Sequence, residues 1–94
     1  MGRLLKPIRL SLHARERARC RGATEDEIRE TIRAAPWASA ARGRLQCERD
    51  FAYNAEWNAV FYRTKRVSPV FVEEHAEIVV VTVYTYYFDQ EQPP

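Results

Sequence analysis

Ile78-Val79-Val80-Val81-Thr82-Val83-Tyr84-Thr85-Tyr86-Tyr87-Phe88 decides the fold. It holds only β-branched and aromatic residues, with no charge, Gly or Pro, the composition that suits a pleated strand. At about 3.3 Å per residue it spans roughly 36 Å, longer than an average strand. Alternation sends Val79, Val81, Val83, Thr85 and Tyr87 to one face and Ile78, Val80, Thr82, Tyr84, Tyr86 and Phe88 to the other. So apolar a strand at an open edge invites aggregation, so a neighbour is expected on each side. The aliphatic face, worth about 1.5–3 kcal/mol per fully buried Val, is expected to take the helices. There Val79, Val81 and Val83 would meet Ile28, Ile32 and Ala18. The opposite face carries the hydroxyls of Thr82, Tyr84 and Tyr86 and is the expected place for function.

Working back from this strand, Glu74-His75-Ala76 reads as a turn and Val67–Glu73 as its antiparallel neighbour. Pro69 in that neighbour must aim its missing N–H away from a ladder bond. Residues 52–62 read as a loop with a short strand near 59–62, and residues 44–51 as a strand burying Leu45, Cys47 and Phe51. Further back, Thr24-Glu25-Asp26-Glu27 is a capping box that opens a helix whose stripe is Ile28, Thr31, Ile32 and Ala35, with Pro36 as the stop. Trp37 is expected to pack over that helix end. Ser11 caps a preceding helix, Leu12 to Arg21, ended by Gly22. Two helices joined so tightly form an αα-hairpin. It is a poor DNA-reading helix-turn-helix, because its second helix opens with three acids. Residues 4–12 read as a short edge strand or extended lead-in, and residues 89–94 as a frayed tail.

Ninety-four residues make one domain, 1–94, with a core over about 8–88. No run approaches the ~20 apolar residues of a membrane span, and the N-terminus lacks an apolar signal core, so a cytoplasmic protein is expected. Cys20 and Cys47 form no metal or redox spacing and read as buried free thiols. Net charge is only +2, but residues 1–22 hold seven Lys or Arg against Glu16, a balance of +6. Such a patch suggests a polyanion or an acidic partner protein; the alternative is a solvated helix face.

His13, Arg17 and Arg21 recur at i, i+4 and i+8 on the first helix. A histidine moves protons near neutral pH, and two arginines hold a phosphate. Metal-independent RNA cleavage needs those roles. Lys65, flanked by Arg63 and Arg66, adds charge, while Tyr84 or Tyr86 offers a base a ring to stack on. The candidate catalytic residues are therefore His13, Arg17, Lys65 and Tyr84, and the candidate binding residues Arg21, Arg63, Arg66, Thr82 and Tyr86. No metal or cofactor is called for. His75 is expected to be exposed. No Gly-rich phosphate loop or Ser-His-Asp order is present.

The order His13-Ala14-x-x-Arg17-x-x-x-Arg21-Gly22, a Thr/Glu-capped helix and the terminal strand through Tyr84 resembles the bacterial domain-of-unknown-function family 4258. Tyr62-x-Thr64-Lys65-x-Val67-x-Pro69-Val70-Phe71 resembles a subset of that family, and the likeness covers about residues 8–88. It implies an α+β fold. An N-terminal αα-hairpin would pack on one face of a three- to four-stranded antiparallel sheet, with the long C-terminal strand central. Such a fold is similar to the RelE/ParE and BrnT toxins and to the barnase–colicin-like ribonuclease group. His13, Arg17 and Arg21 would be the family's polar helix residues, and Thr82 and Tyr84 its strand residues. The chain departs from RelE-like toxins in its low charge and its lack of a basic tail. Two functions follow as expectations: a toxin-like, metal-independent ribonuclease or RNA-binding domain, or a non-catalytic module that meets an antitoxin-like protein or its own copy through the sheet face.

Overall fold

A computed structural model describes residues 6–89; the first part of the expected lead-in and nearly all of the expected frayed tail lie outside them. The helices follow their caps. The Ser11 side chain accepts from the Ala14 N–H at the start of α1 (Leu12–Arg21), and Gly22, in the left-handed region at φ 78°, ends it. A Cβ at Gly22 would stand 2.5 Å from the Tyr87 hydroxyl and 2.7 Å from the Trp57 ring, so this stop requires glycine. α2 (Glu25–Ala34) carries the complete capping box between Thr24 and Glu27. Ile28, Thr31 and Ile32 are buried on its inner face, and Trp37 donates its Nε1–H to the Ile32 carbonyl while meeting Phe71 edge-on.

The two helices pack on a mixed sheet of six strands: β1 (Ile8–Leu10), β2 (Ala38–Ser39), β3 (Leu45–Gln46), β4 (Arg49–Trp57), β5 (Val60–Glu73) and β6 (Ile78–Phe88). The α+β class holds, but the sheet is neither three- to four-stranded nor wholly antiparallel. β1 lies parallel to β6, and β5 is the strand flanked along both edges, by β6 on one side and by β3 and β4 on the other. Among the described residues β6 has a second neighbour only from Ile78 to Val80.

Two bulges explain the differences from simple alternation. Pairing of β5 with β6 steps from Val70–Thr82 to Phe71–Val80, leaving Val81 as an extra residue. One added residue exchanges the faces. Ile78 and Val80 are therefore fully buried beneath the helices together with Val83, whereas Val79 and Val81 are only half-buried. Thr85 and Tyr87 continue the helix-facing row, and Tyr84 and Tyr86 the other. The second bulge falls between Ala52 and Ala55, at Asn54, which takes a positive φ of 49°. It lets residues 52–57 remain a strand where a loop was expected. Asn58 and Ala59, both at positive φ, close the β4–β5 hairpin as a type I′ turn.

Pro69 sits in the middle of β5 without disrupting it. Its carbonyl accepts the Cys47 N–H, and in antiparallel pairing a residue's N–H and C=O point to the same neighbour. Its missing donor therefore faces the gap between β3 and β4, where no ladder bond is required. Ile8, Leu10, Ala14, Ala18, Ile28, Ile32, Phe71, Ile78, Val80 and Val83 belong to one apolar cluster. Cys47 is buried with them, but Cys20 is exposed on α1, contrary to expectation. Among the described residues no helix is long and apolar enough to cross a membrane.

Candidate functional site

α1 lies over β6, with Ala14 and Ala18 against the sheet. Its C-terminal turn is fastened there by β6: the Thr85 hydroxyl and the Tyr87 hydroxyl both donate to the Arg21 carbonyl, at 2.9 and 2.7 Å. Burial pushes the Tyr87 phenol up to about 12. This fastening aims the Arg21 side chain around the open edge of β6. Its guanidinium donates to the Val83 carbonyl at 2.7 Å and lies 4.9 Å over the Tyr84 ring on the opposite face of the sheet.

Tyr84 and Tyr86 stand two residues apart on that open face, about 7 Å along the strand, and are 43% and 49% exposed. On the far side of Tyr84 from Arg21, a cleft of about 220 Å³ is lined by Ala40, Ala41, Arg42, Arg44, Gln46, Val70, Thr82 and Tyr84. Arg42 at φ 63° and Gly43 at φ 72° make a left-handed turn that carries Arg42 and Arg44 to its rim. Tyr84 is thus a ring between cations on both sides.

His13 and Arg17 are exposed on α1, N-terminal to Arg21, and their side chains make no hydrogen bond or ion pair within the described residues. Thr82 lies in the cleft. Arg66 is held by Asp50 in a two-pronged pair at 2.7 and 3.2 Å, over the Phe88 ring; that hydrogen bond holds its pKa above the usual guanidinium value. Arg63 lies 4.0 Å from Asp89.

Lys65 does not join this group. It pairs with Tyr87 across the strands, so it lies on the helix face, opposite Tyr84. It is 5% exposed, with its Nζ 2.8 Å from both the Gly22 carbonyl and Glu27 Oε1. Tyr53 covers it at 5.3 Å. It is a buried structural cation where one adding charge to the site was expected. The four residues proposed for catalysis therefore do not converge: Lys65 and Tyr84 are separated by the sheet. Arg42, Arg44 and Gln46 went unread in the sequence, although Arg42-Gly43-Arg44, two cations about a glycine in a run of small residues, was the available signal.

Comparison of the chain with protein-family models, with curated proteins and with solved structures gives no match. The likeness to family 4258 rests on the quoted residues, and function must be argued from this geometry.

Proposed function

We propose that the domain binds single-stranded RNA across the open face of the sheet. The observation that carries this reading is the Arg21 guanidinium over the exposed Tyr84 ring, with Arg42 and Arg44 on the ring's other side. Sequence-tolerant strand binding combines stacking rings with cations for the backbone. Tyr84 and Tyr86 would each take a base, at a spacing an extended strand can follow. Arg17, Arg21, Arg42 and Arg44 would meet phosphates. The cleft is smaller than the ~300–1,000 Å³ of ordinary ligand pockets, which suits one base with its phosphate held outside at the rim. Gln46 and Thr82 offer that base hydrogen bonds.

Fluorescence anisotropy with a labelled single-stranded RNA tests this. Binding is expected to weaken steeply with salt. Tyr84→Ala is expected to cost about 1–3 kcal/mol, the worth of one stacked base. Arg17→Ala is expected to lower the salt slope by about one contact. Binding indifferent to both salt and Tyr84→Ala would sink the proposal.

A toxin-like ribonuclease remains a second reading, favoured by His13 and Arg17 sharing the helix row that ends at Arg21. A phosphate on those arginines would lie along the row from an exposed imidazole. RNA incubated with the domain in EDTA would then yield 2′,3′-cyclic phosphate ends, and His13→Ala would slow cleavage by roughly 10²–10⁴-fold. Intact RNA, free or on translating ribosomes, removes the enzyme and leaves the binder.

A further inference from the structure

The outer edge of β6 carries a separate observation. From Ile78 to Val80 it is paired with β1, and the flanking bonds run from the Ile78 N–H to the Pro7 carbonyl and from the Ser11 N–H to the Val80 carbonyl. There the chain leaves the sheet to begin α1, and the rest of β6 has no neighbour on that side among the described residues. Which groups face this open edge follows from the ladder. Pro69 turns its carbonyl to Cys47, so its cross-strand partner Val83 turns its N–H and C=O the other way, outward. The Arg21 bond to the Val83 carbonyl agrees. Thr85 and Tyr87 repeat that orientation, and their outward N–H and C=O groups have no partner among the described residues.

We infer that Val83–Tyr87 of β6 accepts an extended acidic peptide from a partner protein as an added strand. Strand addition fills such an edge with alternating main-chain bonds. Arg21 crosses this edge at Val83, but among the described residues Thr85 and Tyr87 have no such charged cover and no bulge beyond Val81. The acidic character follows from the cations beside it, Arg17 exposed on α1 and Arg21 lying across Val83. A second copy of this chain does not fit as occupant. Strands pair about 4.8 Å apart, and each copy carries α1 packed over its own β6, whereas packed helices need 8–10 Å. RNA lacks the alternating amide groups. The main-chain edge is distinct from the face offered to RNA, although Arg21 borders both.

The test uses the full chain, labelled with ¹⁵N, and the peptide acetyl-EVTVTVE-amide. Amide exchange at Val83, Thr85 and Tyr87 is expected to slow about tenfold or more at saturation. The lysine counterpart, acetyl-KVTVTVK-amide, is expected to bind about tenfold more weakly, and the acidic peptide N-methylated at alternate residues not at all. Thr85→Pro removes an outward N–H that no ladder bond uses, together with the hydroxyl bond to the Arg21 carbonyl, and the peptide is lost. If that variant fails to fold, the N-methylated peptide carries the same comparison. No binding at millimolar peptide, unchanged exchange at Thr85 and Tyr87, or equal affinity for acidic and basic peptides would overturn the inference. So would protection of the same amides by a dimer formed without peptide, or by RNA.

Discussion

The two ends of the sheet are built on different principles. At the near end Ile8, Leu10, Ile78, Val80 and Phe71 face Ile28 and Ile32 in an apolar core closed by β1 and both helices. Stabilisation there is non-directional and scales with buried area. At the far end the same helix face of the sheet carries Lys65, Thr85 and Tyr87, with the rings of Tyr53, Trp57 and Tyr62 gathered round Tyr87. Trp57 stacks on Tyr87 with centroids 4.9 Å apart and planes 13° from parallel. Each polar group there is aimed at the end of α1 or the start of α2: Lys65 at the Gly22 carbonyl and Glu27, Thr85 and Tyr87 at the Arg21 carbonyl. Directional bonds replace bulk burial, and the edge beside them stays open. The fold is secured at one end so that the other can present Arg21, Tyr84 and a free strand edge.

The sharpest way to break the comparison is a pair of neighbouring substitutions across the Val81 bulge. Val80→Asp puts an unpaired charge in the closed core, where Val80 has no exposure. That cost exceeds what a domain with a margin of about 5–15 kcal/mol withstands, and loss of the folded circular-dichroism signal is expected. Val81→Asp, one residue on, lies on the half-buried side and is expected to cost about 1 kcal/mol, the span of strand propensity. Thermal melts of the two variants decide it. Equal destabilisation would mean the faces do not exchange at Val81.

That exchange also marks where the sequence stopped being legible. Caps are local, so Ser11 and Gly22 bounded α1 to the residue, and the Thr24–Glu27 box placed the start of α2, which ends at Ala34, one residue before its stripe was expected to. The strand of residues 78–88 was equally plain, because its composition admits nothing else. A bulge in a run of one isoleucine and three valines, Ile78–Val81, leaves no local trace, and the rows inverted in Ile78–Val80 follow from the partner strand's register. The strand at residues 52–57 was hidden for a similar reason: Asn54 and Asn58 both read as turns, and only Asn58 makes one, while Asn54 absorbs a bulge. At the site, the helical period correctly grouped His13, Arg17 and Arg21. Lys65 failed because its fate depends on a capping glutamate 38 positions earlier in the chain, and Arg42 and Arg44 because a long-range fold-over brings them beside Tyr84.

A smaller effect separates the ends by chemistry. Glu27 serves both the Thr24 N–H and Lys65 Nζ. Glu27→Ala leaves a buried ammonium with only the Gly22 carbonyl, and removing one partner of such a pair costs up to about 3–5 kcal/mol. Replacing the pair together, Glu27→Gln with Lys65→Met, is expected to restore much of that loss, since apolar volume substitutes well for a buried ion pair. Urea denaturation of the single and double variants measures the difference. If Glu27→Ala and the double variant were equally stable, Lys65 would not depend on Glu27.

The smallest effect depends on pH and belongs to the far end alone. Burial raises the Tyr87 phenol from 10 to about 12, so the folded state favours its neutral form. A group raised in this way contributes stability that is complete below its unfolded pKa. For Tyr87 that contribution is lost as pH climbs from 10 through about 12, where the unfolded chain gives up its proton more readily than the folded one. Tyr87→Phe removes the bond to the Arg21 carbonyl and is expected to cost about 0.5–1.5 kcal/mol at neutral pH. It also removes the titration, so the gap between variant and wild type should narrow across the alkaline window. Phe71→Leu in the apolar core of the near end changes a side chain that does not titrate and is expected to shift stability equally at both pH values. Chemical denaturation of the two variants at neutral and alkaline pH separates a directional hydrogen bond from non-directional burial. A Tyr87→Phe deficit that stayed constant through the window would place the phenol in water, and the stacked cluster around it would lose its role in anchoring α1.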